Sequence, residues 1–220
     1  GQAGIKDFLL PSVSVTGSTG DSGQSDLTHG TAMVETILRS LSQAASDPAG
    51  SPVRILPVDI YGGSASTTTF EVVRGLYAAA EHGPAVVNLS LGSSGDSPLL
   101  RETVESLAKQ GVLVVAAAGN EPVTNPTYPA AYPATLAVTA GDRSGQVAAY
   151  ANRGTFVDLV APGTSIVHFD AQTYLGTGTS YATAYITGAA AGLFTAAEGK
   201  NAAEVEAALR ERYGARTPGP

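Results

Sequence analysis

Two spacings of apolar residues alternate along this chain. VRILPVDI (53–60) is rich in β-branched residues and predicts a strand, whereas TFEVVRGLYAAAEH (69–82) carries Phe70, Val73, Leu76 and Tyr77 at helical spacing. The rhythm repeats with VVNLSL (86–91) as a strand, 97–110 as a helix and VLVVAAA (112–118) as a continuous apolar run. Such a run suits a strand of a parallel sheet covered on both faces. Short strands at 136–140 and 157–160 follow, then a helix over 180–196 and a surface helix over 201–213 with Asn201 at its N-cap. A further helix is predicted within LTHGTAMVETILRSL (27–41), with Met33, Ile37, Leu38 and Leu41 as its apolar stripe. Strands separated by helices require right-handed crossovers. The expected class is therefore α/β, a doubly wound, mostly parallel sheet with helices on both faces. No repeat or linker splits the chain, so residues 1–213 are read as one domain, with 214–220 as a tail that frays.

The pattern leaves three polar residues at the ends of apolar elements. Ser180, in GTGTSYATAYITG, opens the most apolar helix. It is either an ordinary capping serine or a nucleophile at a helix N-terminus, where N–H groups and the positive dipole end favour a developing oxyanion. His29 opens the 27–41 helix, a poor place for a charged imidazole and a good one for a neutral general base; taken singly, it also reads as a surface or capping residue. Asn120 follows the buried 112–118 strand and reads as a turn residue or as an amide donor into the crevice at the carboxyl ends of the strands. His82 and His168 lack comparable settings and are read as structural or solvent-facing.

Composition trims the options. With 220 residues and 43% hydrophobic content the chain can bury a sizeable core. A net charge of −7 and twelve dispersed Lys and Arg argue against nucleic acid. There is no cysteine, hence no disulfide or thiolate metal site, and no apolar run long enough to span a bilayer. Met33 is the single methionine, so Gly1 is not read as a translational start.

Six segments, HGTAMVETI, VVNLSLGSS, VVAAAGNE, YPAAYPATLAVTA, VAPG and GTSYATAYITG, resemble in order and spacing those of the subtilisin-like serine proteases, from about Asp26 to Leu193. The resemblance implies a peptidase domain that cleaves polypeptides through an acyl-enzyme, with no catalytic metal or cofactor. It makes Ser180 the nucleophile, His29 the base and Asn120 the side-chain oxyanion donor. Ser90, Leu91 and Gly92 become the edge that pairs with extended substrate, and Ala117, Ala118 and Gly119 the small-residue wall of the main specificity pocket. Asp26 resembles an acid common near the family's cleft and receives no catalytic role. The resemblance favours export and leaves room for a propeptide and for structural calcium, to which no residue is assigned. A catalytically impaired relative that binds peptides without cutting them is the alternative.

Two departures stand out. The proline usual four residues after the nucleophile is Ala184 here, a tolerable change because alanine is a good helix former. The triad acid is less plain. Asp7 ends AGIKD, a short candidate strand, and is the residue assigned; Asp21, in Asp21-Ser22-Gly23, imitates the expected letters within a Gly/Ser-rich loop. A third alignment puts Gln2 at the acid's place or the acid before Gly1.

Overall fold

The computed structural model describes residues 5–17, 27–44, 51–196 and 199–215. β1 (Val13–Ser14) pairs in parallel with β2 (Val58–Asp59), and α1 (His29–Ala44) lies between them in the chain. Then come α2 (Thr69–Ala80), β3 (Val86–Leu89), α3 (Pro98–Lys109), β4 (Leu113–Ala117), β5 (Leu136–Gly141) and β6 (Leu159–Pro162). The last four strands form a parallel sheet in the order β3-β4-β5-β6. An antiparallel hairpin, β7 (Thr164–Phe169) and β8 (Gln172–Thr177), leads into α4 (Thr179–Phe194), and α5 (Ala202–Tyr213) closes the described fold.

The sheet is covered on both faces because β4 is apolar at every position. Leu113 and Val115 pack with Ile186 and Ala190 of α4 and Val205 and Leu209 of α5. Val114 and Ala116 turn the other way, onto Val72 and Leu76 of α2 and Val104 and Leu107 of α3. The alternation follows the period of two in a strand. The expected α/β class is the observed one.

α4 is buried almost all round, and its sequence explains how. Two of its buried threonines turn their hydroxyls toward their own helix: Thr183 donates to Thr179 C=O at 2.8 Å, and the Thr187 hydroxyl is shared between Thr183 C=O at 3.0 Å and Asn88 Oδ1 at 2.9 Å. Its glycines admit α1. A Cβ at Gly188 would lie 2.2 Å from the Ile37 carbonyl oxygen, and one at Gly192 would lie 2.8 Å from Ala44 Cβ. Near their starts, Ala32 and Met33 of α1 share a cluster with Ala184 of α4. The two helices therefore run parallel with their N-termini level, which brings His29 and Ser180 to one end of the pair.

Three local expectations change. The strand over 53–60 shortens to Val58–Asp59, because Pro57 has no N–H for the ladder. The described part of AGIKD, Ile5 to Asp7, is not a strand: Phe8 N–H bonds back to Ile5 C=O at 3.0 Å, so Asp7 sits in a turn, while Ala3 and Gly4 lie outside the described residues. Of the expected frayed tail, Gly214 bridges Leu159 and Ala215 N–H donates to Asp158 C=O at 2.8 Å, while 216–220 lie outside the described residues.

Candidate active site

Parallel strands with helical crossovers leave their carboxyl ends on one edge, and this edge gathers most of the residues singled out in the sequence. Leu89, the last residue of β3, is in register with Ala116, one short of the end of β4, so Ser90–Gly92 and the segment from Ala117 to Gly119 run on side by side at this edge. Ala117 and Ala118 are buried. A Cβ at Gly92 would lie 3.3 Å from Tyr128 C=O, so only glycine fits without displacing that wall. Among the described residues Leu91 and Gly92 make no backbone hydrogen bond, and pairing resumes at Ser93, which exchanges bonds with Tyr128 at 2.9 and 2.7 Å. Leu91 and Gly92 border a cleft of about 300 Å³ together with Tyr61, Thr68 and Tyr128.

Asp59 shapes the Tyr61 side of that cleft. Its Oδ1 accepts the N–H groups of Tyr61 and Gly62, each at 2.9 Å, and its Oδ2 accepts the Ser14 hydroxyl at 3.2 Å. Burial alone would raise its pKa, but the bonds from Gly62, Tyr61 and Ser14 outweigh it and hold the carboxyl below its ordinary value.

Ser180 is the second residue of α4 and does not cap it. The N-cap is Gly178, φ 150°, which has no side chain to offer. The cap comes from another element: Asn120 Oδ1 accepts the Thr179 N–H at 2.9 Å and the Thr179 hydroxyl at 3.1 Å. Because an N–H can only meet the carboxamide oxygen, this pair fixes the amide's orientation. Among the described residues Nδ2 makes no hydrogen bond, and a Cβ at Gly178 would lie 3.5 Å from it and 3.9 Å from the Ser180 N. The Ser180 N–H belongs to the first turn, whose donors have no partner within the helix. Thr179 closes the junction, its hydroxyl also accepting the Gly119 N–H at 3.2 Å.

Ser180 is otherwise held by Ser90, the residue just after β3. Its hydroxyl makes a long 3.4 Å bond to the Ser90 carbonyl, while the Ser90 hydroxyl donates to Ser180 C=O at 3.1 Å. Behind this pair a polar chain runs from Thr187 to Asn88 Oδ1 at 2.9 Å and from Asn88 Nδ2 to Ser90 Oγ at 3.0 Å.

His29 is the first residue of α1 and is exposed. Capping there is done by Thr28, whose Oγ1 accepts the Thr31 N–H at 3.2 Å. The ring of His29 therefore has no capping task, and among the described residues it makes no hydrogen bond. His82 bonds to Ala78 C=O and His168 to Thr173, each on its own element or hairpin and exposed.

Asp7 is not brought to His29. Leu9 bridges Ile55 ahead of the Val13–Val58 pairing, so Asp7 lies before the amino ends of β1 and β2, whereas Ser90, Asn120 and Ser180 gather at carboxyl ends. Asp7 is exposed and makes no hydrogen bond or ion pair among the described residues. Asp21 and Asp26 lie outside the described residues. Ala184, in place of the usual proline, is fully buried against α1. Thr179 and the Asn88–Thr187 pair were not legible as site residues, since their roles are hydrogen bonds between distant segments.

The sequence model of the subtilase family matches residues 12–216. Subtilisin Savinase of Lederbergia lenta is 36% identical over 165 residues, covering 74% of this chain and 61% of the relative. Thermitase of Thermoactinomyces vulgaris is 37% identical over 157 residues, 70% of this chain and 56% of the relative. The minor extracellular protease Epr of Bacillus subtilis is 40% identical over 129 residues, 57% of this chain and 19% of that one. The chain thus spans less than two thirds of the length of these relatives. Among solved structures, a mutant form of the protease domain of PatA superposes with a TM-score of 0.67 at 27% identity, covering 85% of this chain and 70% of that one. With a match over residues 12–216 and this sheet beneath it, the chain belongs to the subtilase family.

Proposed function

We propose that this chain is a serine endopeptidase that hydrolyses polypeptides through an acyl-enzyme at Ser180. The observation that carries the reading is the cap of α4: Asn120 reaches Thr179 with its oxygen, and its Nδ2 and the Ser180 N both face the place of the missing Gly178 side chain, 3.5 and 3.9 Å from a Cβ built there. Two donors at the mouth of a helix, next to a serine that has no capping task, suit a tetrahedral oxyanion. His29 takes the Ser180 proton as Oγ attacks the carbonyl carbon, then gives it to the leaving nitrogen as the C–N bond breaks. Water then attacks the acyl carbon and gives a proton to His29, and the acyl–Oγ bond breaks as His29 returns that proton to Ser180.

The unpaired backbone of Leu91 and Gly92 suits an extended peptide added as a strand, and the small residues Ala117 to Gly119 leave space for a bulky side chain beside the cut bond. No cofactor enters the reaction. Calcium is common in the family, but among the described residues no group of three His, Asp or Glu could hold a metal ion. A relative named as an extracellular protease supports export, and among the described residues no helix is long and apolar enough to cross a membrane. A propeptide partner rests on family resemblance alone.

Asp7 does not serve as the acid in this arrangement. Chain connectivity favours the stretch between β1 and His29, which contains Asp21 and Asp26. A second reading, a cleft that binds peptides without cutting them, draws on the lack of a carboxylate partner for His29 among the described residues. Stopped-flow hydrolysis of an activated peptide ester separates the two: an acyl-enzyme gives a burst of product equal to the enzyme concentration, and binding without a burst supports the second.

A further inference from the structure

Asn152 is a fully buried polar residue whose side chain takes three backbone groups of one turn and whose own N–H takes a fourth. A buried carboxamide is retained at a cost unless its donors and acceptor are all used. Here its Nδ2 donates to Ala118 C=O at 2.8 Å and its Oδ1 accepts the Glu121 N–H at 2.8 Å, with a longer 3.5 Å bond from the Val123 N–H. Its own backbone N–H donates to Gly119 C=O at 2.9 Å, and the next N–H, of Arg153, donates to Val123 C=O at 2.9 Å. The segment 118–123 therefore wraps around Asn152. A Cβ at Gly119, φ +108°, would lie 2.5 Å from Asn152 Nδ2, so the wrap is close enough to require glycine.

The arrangement matters because of what it does to the residue in the middle of the turn. Asn120 is flanked by two peptide groups, and each is anchored to residue 152. The Gly119 carbonyl is held by its N–H and the Glu121 N–H by its side chain. Fixing both peptide planes fixes the direction in which the Asn120 side chain leaves the backbone, and from there it reaches Thr179.

We infer that Asn152 is a positioning residue for the oxyanion donor, acting on the reaction through Asn120; this rests on the reading of Asn120 given above. The requirement is for asparagine. Ala118 C=O needs a donor and the Glu121 N–H an acceptor, on one planar group at one distance. Aspartate supplies the acceptor and no donor, and serine cannot span both.

The test is a double-mutant cycle on the full chain, with rates expressed per active site by titration with a fluorophosphonate so that unfolded protein does not count. Asn152→Ala is expected to lower kcat ten- to a hundredfold with KM within about twofold, the scale of a small misplacement of a catalytic group. In an Asn120→Ala background the same substitution is expected to change kcat by less than about threefold, because the donor it positions is already gone. A purely structural residue would lower kcat by the same factor in both backgrounds, and that result overturns the inference. An unchanged kcat in Asn152→Ala also overturns it. If Asn120→Ala alone leaves kcat at the wild-type value, the oxyanion reading itself fails, which is a distinguishable outcome. Should Asn152→Ala yield no folded enzyme, Asn152→Asp, which keeps the acceptor for Glu121, is taken through the same cycle. Failure of both to fold assigns Asn152 to stability alone and overturns the inference.

Discussion

The serine and the histidine enter the cleft under opposite physical conditions, although both open a helix. At α4 the opening is over-determined: Gly178 supplies the φ of 150°, Asn120 supplies the cap, and Thr179 and Ser90 tie the first turn to the segments that follow β4 and β3. At α1 the cap is local, Thr28 to Thr31, and the His29 ring is exposed with no partner among the described residues. The difference suits the division of labour. Oxyanion stabilisation depends on donors fixed before the reaction, whereas a general base must move a proton between two partners and is oriented by a third group. What the two ends share is the packed seam between α1 and α4, which holds their starts level.

Removing the better-held side should have the largest effect. Ser180→Ala should lower kcat by about six orders of magnitude, the scale known for subtilisin's own nucleophile, as measured on an extended peptide substrate with binding retained. The acid comes next. Asp7→Asn should leave kcat within about twofold, while one of Asp21→Asn and Asp26→Asn should lower it by about four orders of magnitude by leaving His29 in the wrong tautomer. A large loss in Asp7→Asn instead would mean that the base is oriented from the amino ends of the strands, against the observed placement of Asp7.

Asn120→Ala should lower kcat by about a hundredfold or more with little change in KM. The same change removes the α4 cap and should cost about 1 kcal/mol of stability in denaturant melts. A loss of stability with unchanged kcat would make Asn120 a cap and nothing more. The smallest effect is expected at the seam. A methyl at Gly188 meets the Ile37 carbonyl, so Gly188→Ala should destabilise the fold by about 1–3 kcal/mol in denaturant melts. It should also lower kcat in the folded fraction, since the start of α1 shifts against that of α4. Loss of stability without loss of rate would show that the register of the two helices does not set the distance between base and nucleophile.

The sequence made the layers of this fold readable where burial is uniform. VLVVAAA suits a strand with both faces covered, and the glycine- and alanine-rich stretch after Ser180 suits a buried helix, and both are formed. The β7–β8 hairpin was missed because its turn, Asp170-Ala171 at φ 46° and 58°, lacks the glycine that usually marks two consecutive positive angles. β1 was missed because only two residues pair, and AGIKD reads as the candidate strand despite Lys6, a charge where a buried strand is apolar. At the site, Ser180, His29 and Asn120 were legible because each punctuates an apolar element. Thr179 and Asn152 were not, because their work is done by hydrogen bonds to segments far away in the chain. The acid is of the same kind: a carboxylate is defined as a partner only by the imidazole it meets.

The central claim is that Ser180 is an activated nucleophile and not a capping serine. Treatment with a fluorophosphonate probe followed by peptide mapping tests it directly. A single stoichiometric adduct on Ser180, lost in Ser180→Ala and slowed in a His29→Ala variant, is the predicted result. No adduct, or one on another serine at the same rate in all three proteins, would contradict it.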